Sequence, residues 1–202
     1  HEDEELSEEL VKMFKEDIFK ICKHIPIQYI TNKQEFMGLE FYVDENVLIP
    51  QPDTEILVEE TIEICRGRSA NAYRSCKEQS SNRASIFGDP KRNIRILDLC
   101  TGSGAIGISI ARNIQNCEIT LSDISLEALK VATRNYKTIV GVGVPDDPNK
   151  KVKIIQSDLF ENIKDKFNII VSNPPYIKSD VIKTLDKEVQ NEPMLALDGG
   201  KD

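Results

Sequence analysis

Residues 98–107, Asp-Leu-Cys-Thr-Gly-Ser-Gly-Ala-Ile-Gly, constrain the fold of this chain more than any other stretch. An apolar run, Ile94–Leu99, leads in, and Ala105–Asn113, with helical spacing, leads out. Glycines at 102, 104 and 107 let a strand turn tightly into a helix and let its backbone approach a ligand closely. A strand, a glycine turn and a helix in that order open a parallel, doubly wound sheet. The pattern continues downstream. Strands are predicted at 118–122, 152–156 and 167–172. A helix is predicted at 125–140, with Leu126, Leu129, Ala132 and Tyr136 on one face. A Gly/Pro/Asp loop fills 141–150, and residues 197–202 offer no closing strand or helix. The fold class is therefore α/β.

The upstream half reads differently. Leu6, Leu10, Met13, Phe14, Ile18, Ile21 and Cys22 predict an amphipathic helix over 6–22, ended by Pro26. Residues 28–50 read as extended, with a hairpin corner at Gly38 and strand-like alternation from Leu39 to Val43. Pro50 and Pro52 stop strand pairing, and a helix runs from Asp53 to Cys65. Residues 66–93 carry Arg66, Arg68, Arg74, Lys77, Arg83, Lys91 and Arg92 against Glu78 and Asp89. They read as a disordered basic insertion, either a solvated loop or a contact for an acidic partner.

Composition excludes several classes. Lys plus Arg is 26 and Asp plus Glu is 34, a net charge of −8, which weighs against broad phosphate-backbone binding. No stretch reaches the roughly 18–20 apolar residues of a membrane span. The first ten residues hold six acids and no secretory signal, and His1 suggests a natural start further upstream. Five cysteines without CxxC spacing, and only two histidines, argue against a disulfide framework or a metal site.

Asp123 lies nineteen residues after Gly104, at the end of the next predicted strand. An acid there accepts hydrogen bonds from both ribose hydroxyls of an adenosine cofactor. The glycine spacing alone also fits a dinucleotide. A pyrophosphate, however, wants a helix N-terminus free of acids, and Asp98 stands just before the turn. A carboxylate there suits the cationic S-adenosylmethionine. No Lys-Ser/Thr follows the glycines, so a P-loop is excluded.

Asn173-Pro174-Pro175-Tyr176 follows the last predicted strand, so it borders the same crevice at the carboxyl ends of the strands. The Asn173 side-chain carbonyl and the Pro174 backbone carbonyl can accept both hydrogens of a planar NH₂ group. Pro175 stiffens the turn, and Tyr176 can lie against the planar group. An amide nitrogen needs such help, because its lone pair is shared with the carbonyl across a barrier of roughly 18–20 kcal/mol. Acceptors on both N–H bonds turn it toward a methyl donor and stabilise the charge that grows on it. Other residues carry bland alternatives. His24 reads as a surface helix end and Cys100 as a packed residue. Asp158 reads as an adenine contact or a helix cap, and Glu192-Pro193 as a crevice contact or a plain loop.

Asp98–Gly107, Asp123 and the Asn-Pro-Pro-Tyr segment resemble class I S-adenosylmethionine-dependent methyltransferases of planar amino groups, with a Rossmann-like sheet. Ile25 to Ile30, Glu35 to Leu39, Val47 to Pro50 and Asp53 to Glu55 narrow the resemblance to the HemK/PrmC family. Those enzymes methylate the amide nitrogen of the glutamine in the Gly-Gly-Gln motif of peptide chain release factors. The resemblance implies cofactor contacts from Asp98, Cys100, Thr101, Gly102, Ser103, Gly104, Asp123, Asp158, Leu159 and Asn173. It puts Asn173, Pro174 and Tyr176 in catalysis, and Asn173, Pro174, Pro175 and Tyr176 around the glutamine. It implies a release factor as partner, no metal, no membrane, and a cytoplasmic or organellar setting. Residues 1–24 are expected to be the last helix of an N-terminal helical domain. Residues 25–52 are expected to be a β-hairpin linker, and 53–202 a methyltransferase domain incomplete at its C-terminus. Gln51 stands where the family usually has Arg, and the 66–93 insertion is longer than in typical bacterial members. A DNA or RNA amino-methyltransferase, acting on adenine N6 or guanine N2, is the alternative, since it shares Asn-Pro-Pro-Tyr.

Overall fold

The computed structural model describes residues 7–67, 93–141 and 150–201. Helix α1 (Glu8–Cys22) starts where Ser7 accepts a hydrogen bond from Leu10 N at 3.3 Å, with Glu8 and Glu9 in the first turn. It exposes Leu10, Phe14 and Phe19. It stops before Pro26, which instead caps a second helix, α2 (Ile27–Thr31). The expectation of extended chain from residue 28 is thus corrected for this turn. Proline's fixed φ suits a helix start, and Asn32, at φ 55°, closes it after five residues. So short a helix leaves no periodic pattern to read.

The hairpin follows as expected. Strand β1 (Gln34–Phe36) pairs with β2 (Leu39–Phe41), Phe36 opposite Leu39. Met37 and Gly38 form the corner with φ of 53° and 68°, the two left-handed residues a tight hairpin needs. A 3₁₀ turn at Pro52–Thr54 leads into α3 (Glu55–Cys65). Of the basic insertion only Arg66, Gly67 and Asn93 are described, and most of the 141–150 loop also lies outside the described residues.

Strand β3 (Ile94–Leu99), helix α4 (Ala105–Asn113), strand β4 (Cys117–Asp123), helix α5 (Leu126–Ile139), β5 (Lys150–Gln156) and β6 (Ile169–Ser172) follow in alternation. The four strands are parallel, in the order β5-β4-β3-β6. β3 is central and buried along almost its whole length, as a sheet covered on both faces requires. Ile96, Leu97, Ile108, Ile110, Ile119 and Leu121 are fully buried at its centre. Each such side chain contributes roughly 1.5–3 kcal/mol of burial. A smaller cluster joins Tyr29, Val43, Val47 and Ile49 to Ala128 and Val131 of α5.

The chain then forms β7 (Ile177–Lys178), α6 (Met194–Leu197) and β8 (Asp198–Gly200). β8 pairs parallel with β7, which corrects the expectation of no closing strand. Asp-Gly-Gly has no apolar alternation to announce a strand. It pairs because Gly199 lies against the backbone of Tyr176, where a Cβ would come within 2.8 Å of Tyr176 Cα.

Asn135 of α5 is a buried polar clamp. Its side chain accepts from Tyr42 N at 2.8 Å and donates to Tyr42 O and Ser103 O, both at 2.9 Å. It thereby ties the segment after the hairpin to the glycine turn. Asn191 does similar work at the other end, donating to His24 O at 2.9 Å. Among the described residues, no helix is long and apolar enough to cross a membrane. Nor is any group of three or more His, Cys, Asp or Glu placed to hold a metal ion.

Candidate active site

The glycine turn leaves the carboxyl end of β3 and is held from below by Asp98. Its Oδ2 accepts from Thr101 Oγ1 at 2.6 Å and Gly107 N at 2.9 Å. Asp98 is fully buried, and its Oδ1 has no partner. Burial pushes its carboxyl up to about 6, against the lowering effect of the Thr101 and Gly107 hydrogen bonds. The expectation that Asp98 faces a cationic ligand is corrected here. The strand aims it under the turn, away from the cavity wall, where it sets the turn's shape. Gly107 lets the helix sit that close, since a Cβ there would stand 2.3 Å from Leu121 Cδ2.

Above the turn lies a cavity of about 600 Å³, a size suited to a small-molecule ligand. Cys100, Thr101, Gly102 and Ser103 line it. Gly104 is the α4 cap behind them, at φ 83°. Cys100 takes a left-handed φ of 60°, and burial raises its thiol. Asp123 lines the cavity at the end of β4, with Oδ2 accepting from Gly102 N at 2.9 Å and Oδ1 from Ser125 N at 3.0 Å. Each carboxylate oxygen keeps a lone pair for a ligand hydroxyl. Asp158 and Leu159 line the same end, Leu159 at a positive φ of 42°. An adenosyl group with its ribose hydroxyls toward Asp123 fits this set.

Asn173, Pro174 and Pro175 line the opposite end. The strands β3 and β6 run side by side, so both motifs emerge at one edge of the sheet. Ser172 Oγ donates to Leu99 O at 2.7 Å and ties the two exits together. Asn173 Nδ2 lies 3.5 Å from Thr54 Oγ1, which leaves Oδ1 as the acceptor. Tyr176 does not line the cavity. Its side chain is 77% exposed beside the Asn-Pro-Pro turn.

Two walls were not read as such from the sequence, apart from Glu192-Pro193, for which a crevice contact was one of two readings and whose Pro193 does line the cavity. One is a strap, residues 45–50, of which Glu45, Val47, Leu48 and Pro50 line the cavity, with Thr54 just beyond. The other is Pro193, Leu195, Ala196, Asp198 and Gly199. Val-Leu-Ile-Pro carries no chemical group to single out, and the close backbone approach at Gly199 shows only in the folded chain. Gln51, at the position of the family's Arg, folds back to donate to Ile49 O at 3.1 Å. Among the described residues, the charged ones on the cavity wall are Glu45, Asp123, Glu127, Asp158 and Asp198, with no Lys, Arg or His.

Residues 85–192, just over half of the chain, match the methyltransferase small domain family. The chain belongs to that family. This methyltransferase domain is 41% identical over 98% of its length to a protein of Clostridium acetobutylicum, covering 60% of that relative. It is 40% identical over 95% of its length to one of Leptospira interrogans, covering 58%. Both are named release factor glutamine methyltransferase, which bears out the resemblance seen in the motifs. The domain thus spans about 60% of the length of the curated relatives it matches. In fold it is similar to the hMettl16 catalytic domain solved with MAT2A 3'UTR hairpin 1. That match has TM-score 0.53 and 12% identity, covering 86% of this chain and 55% of the other. The α/β class I methyltransferase fold is as expected.

Proposed function

We propose that this domain transfers a methyl group from S-adenosylmethionine to the side-chain amide nitrogen of the Gly-Gly-Gln glutamine in a peptide chain release factor. The observation that carries the reading is one cavity lined at one end by the glycine turn and Asp123, and at the other by Asn173 and Pro174. The names of the relatives support the substrate. The five carboxylates on the wall, with no Lys, Arg or His among the described residues that line it, support a protein substrate over a phosphate backbone.

Thr101, Gly102, Ser103, Asp123, Asp158 and Leu159 hold the cofactor, with Cys100 and Gly104 shaping the turn. When bound, it supplies an electrophilic methyl on a positively charged sulfur. The chain's own residues do the rest. Asn173 Oδ1 and the Pro174 carbonyl accept the two amide N–H groups, so the nitrogen's face is turned into the cavity. As nitrogen becomes positive those two hydrogen bonds strengthen, which stabilises the transition state more than the ground state. One of the two protons then leaves to solvent, and the amide regains its resonance. Pro175 keeps the turn rigid, and Tyr176, exposed beside it, packs on the incoming polypeptide.

Asn173→Ala is expected to slow turnover roughly a hundredfold while cofactor affinity changes much less. The reading is tested by methyl transfer from labelled S-adenosylmethionine to a release factor, to its Gln→Ala variant in Gly-Gly-Gln, and to nucleic acid. Label in the unaltered release factor alone supports it. Label in nucleic acid, or label that survives the Gln→Ala change, contradicts it.

A further inference from the structure

The strap over the cavity has no secondary structure of its own, yet several polar groups of its backbone are held by side chains. Tyr29 donates its hydroxyl to Val47 O at 2.6 Å. Gln51 donates to Ile49 O at 3.1 Å, and Gln34 donates to Pro50 O at 3.1 Å. Ile49 stands between two residues that line the cavity, Leu48 and Pro50, and its amide is a donor. It is met by the Oε2 of Glu192, 2.9 Å away and 143 residues later in the chain.

Glu192 is buried, at 8% exposure, an uncommon place for a carboxylate. Burial raises its carboxyl, and the Ile49 hydrogen bond lowers it. What sits there is costly unless the contact does something. Its position says what. The next residue, Pro193, begins the second wall, and Leu195, Ala196, Asp198 and Gly199 complete it. Gly199 in turn packs on Tyr176 and Pro175. One hydrogen bond therefore joins the strap to the wall that leans on Asn-Pro-Pro-Tyr. On its other side the strap packs through Val47 and Ile49 on Ala128 and Val131 of α5.

We infer that Glu192 is a positioning residue for the acceptor. By holding Ile49 N it fixes the width of the acceptor end of the cavity, between the 47–50 strap and the 193–199 wall. This rests on the methyl-transfer reading for its catalytic consequence, though the contact itself can be tested apart. The requirement is for an acceptor oxygen at that place rather than for a negative charge. A glutamine supplies the same oxygen and an alanine supplies none.

The experiment compares Glu192→Gln and Glu192→Ala in the full-length protein by two readouts. The first is amide hydrogen exchange of residues 47–49, which needs no substrate. Glu192→Ala is expected to raise exchange at Ile49 by tenfold or more, as local opening replaces a held donor, while Glu192→Gln stays within about threefold of wild type. The second is steady-state methyl transfer to a release factor. Glu192→Ala is expected to raise KM for the release factor roughly tenfold, with the dissociation constant for S-adenosylhomocysteine within about twofold, and Glu192→Gln to restore KM. Unchanged exchange at Ile49 in Glu192→Ala overturns the inference. So does a Glu192→Gln variant as impaired as the alanine, which would assign the role to charge. Equal losses of S-adenosylhomocysteine binding and acceptor KM would make Glu192 a general structural residue. If the wild type transfers no methyl to any release factor, the proposed function fails, and the exchange comparison still decides the contact.

Discussion

Replacing Asn135 with Ala removes three hydrogen bonds at once. They run to Tyr42 N, Tyr42 O and Ser103 O, at 2.8, 2.9 and 2.9 Å. Asn135 is 1% exposed, so the groups left behind have little access to water. A typical hydrogen bond contributes about 1 kcal/mol net, and a buried group left unpaired costs about 1–3 kcal/mol. Three such groups span about 3–9 kcal/mol, and because the two Tyr42 groups are only half-buried the lower part of that range, about 3–5 kcal/mol, is expected. That is a large share of the roughly 5–15 kcal/mol by which domains are stable. Urea denaturation followed by circular dichroism measures it, with the slope against denaturant unchanged if only stability has moved. Asn135→Asp is expected to be at least as harmful. It keeps the acceptor for Tyr42 N but turns a carboxylate toward two carbonyl oxygens. A loss below about 1 kcal/mol for Asn135→Ala would refute the reasoning, because it would mean the three backbone groups are satisfied elsewhere.

Three further outcomes follow from the turn. Gly107→Ala gains about 1 kcal/mol of helix propensity. It forces a Cβ to within 2.3 Å of Leu121 and 3.0 Å of the Asp98 carboxylate. A net loss of about 1–2 kcal/mol is expected from this overpacking, and a stabilised variant in thermal or urea unfolding would contradict it. Asp98 titrates near 6 when folded against roughly 4 when unfolded. Between those values the folded state holds a proton the unfolded state has released, so stability falls as pH rises through roughly 4 to 6. Asp98→Asn removes that slope. Parallel pH profiles for the two proteins would show that Asp98 is not the group titrating. Asp123→Ala is expected to raise the dissociation constant for S-adenosylmethionine by tenfold or more, since it loses the acceptor for the ribose hydroxyls. Calorimetric titration with unchanged affinity would remove Asp123 from the cofactor site.

The α/β half of the fold was legible because its signals are local and strong. Ile94–Leu99 and Ala105–Asn113 fall where the apolar runs and the glycine turn put them. The hairpin was legible from Gly38. What escaped was set by contacts between distant parts of the chain. α2 is one turn long and is defined by Pro26 and Asn32 rather than by a period. β8 exists because Gly199 can touch Tyr176, and two residues of pairing leave no pattern. In the site, residue type announced the glycine turn, Asp123 and Asn-Pro-Pro-Tyr, whose chemistry belongs to the side chains and turns themselves. Asp98 was read as facing the ligand because spacing does not tell which way a strand residue points. Val47, Leu48 and Pro50 line the cavity on a strap whose Ile49 N donates to Glu192 Oε2, a pairing across 143 residues that no local pattern announces.

The most direct measurement is tandem mass spectrometry of a release factor after incubation with the full-length protein and S-adenosylmethionine. The expected result is a single added methyl on the Gly-Gly-Gln glutamine, located on its side-chain nitrogen by peptide fragmentation and greatly diminished with Asn173→Ala. A methyl on any other residue, or an unmodified glutamine alongside methylated nucleic acid in the same reaction, would contradict it.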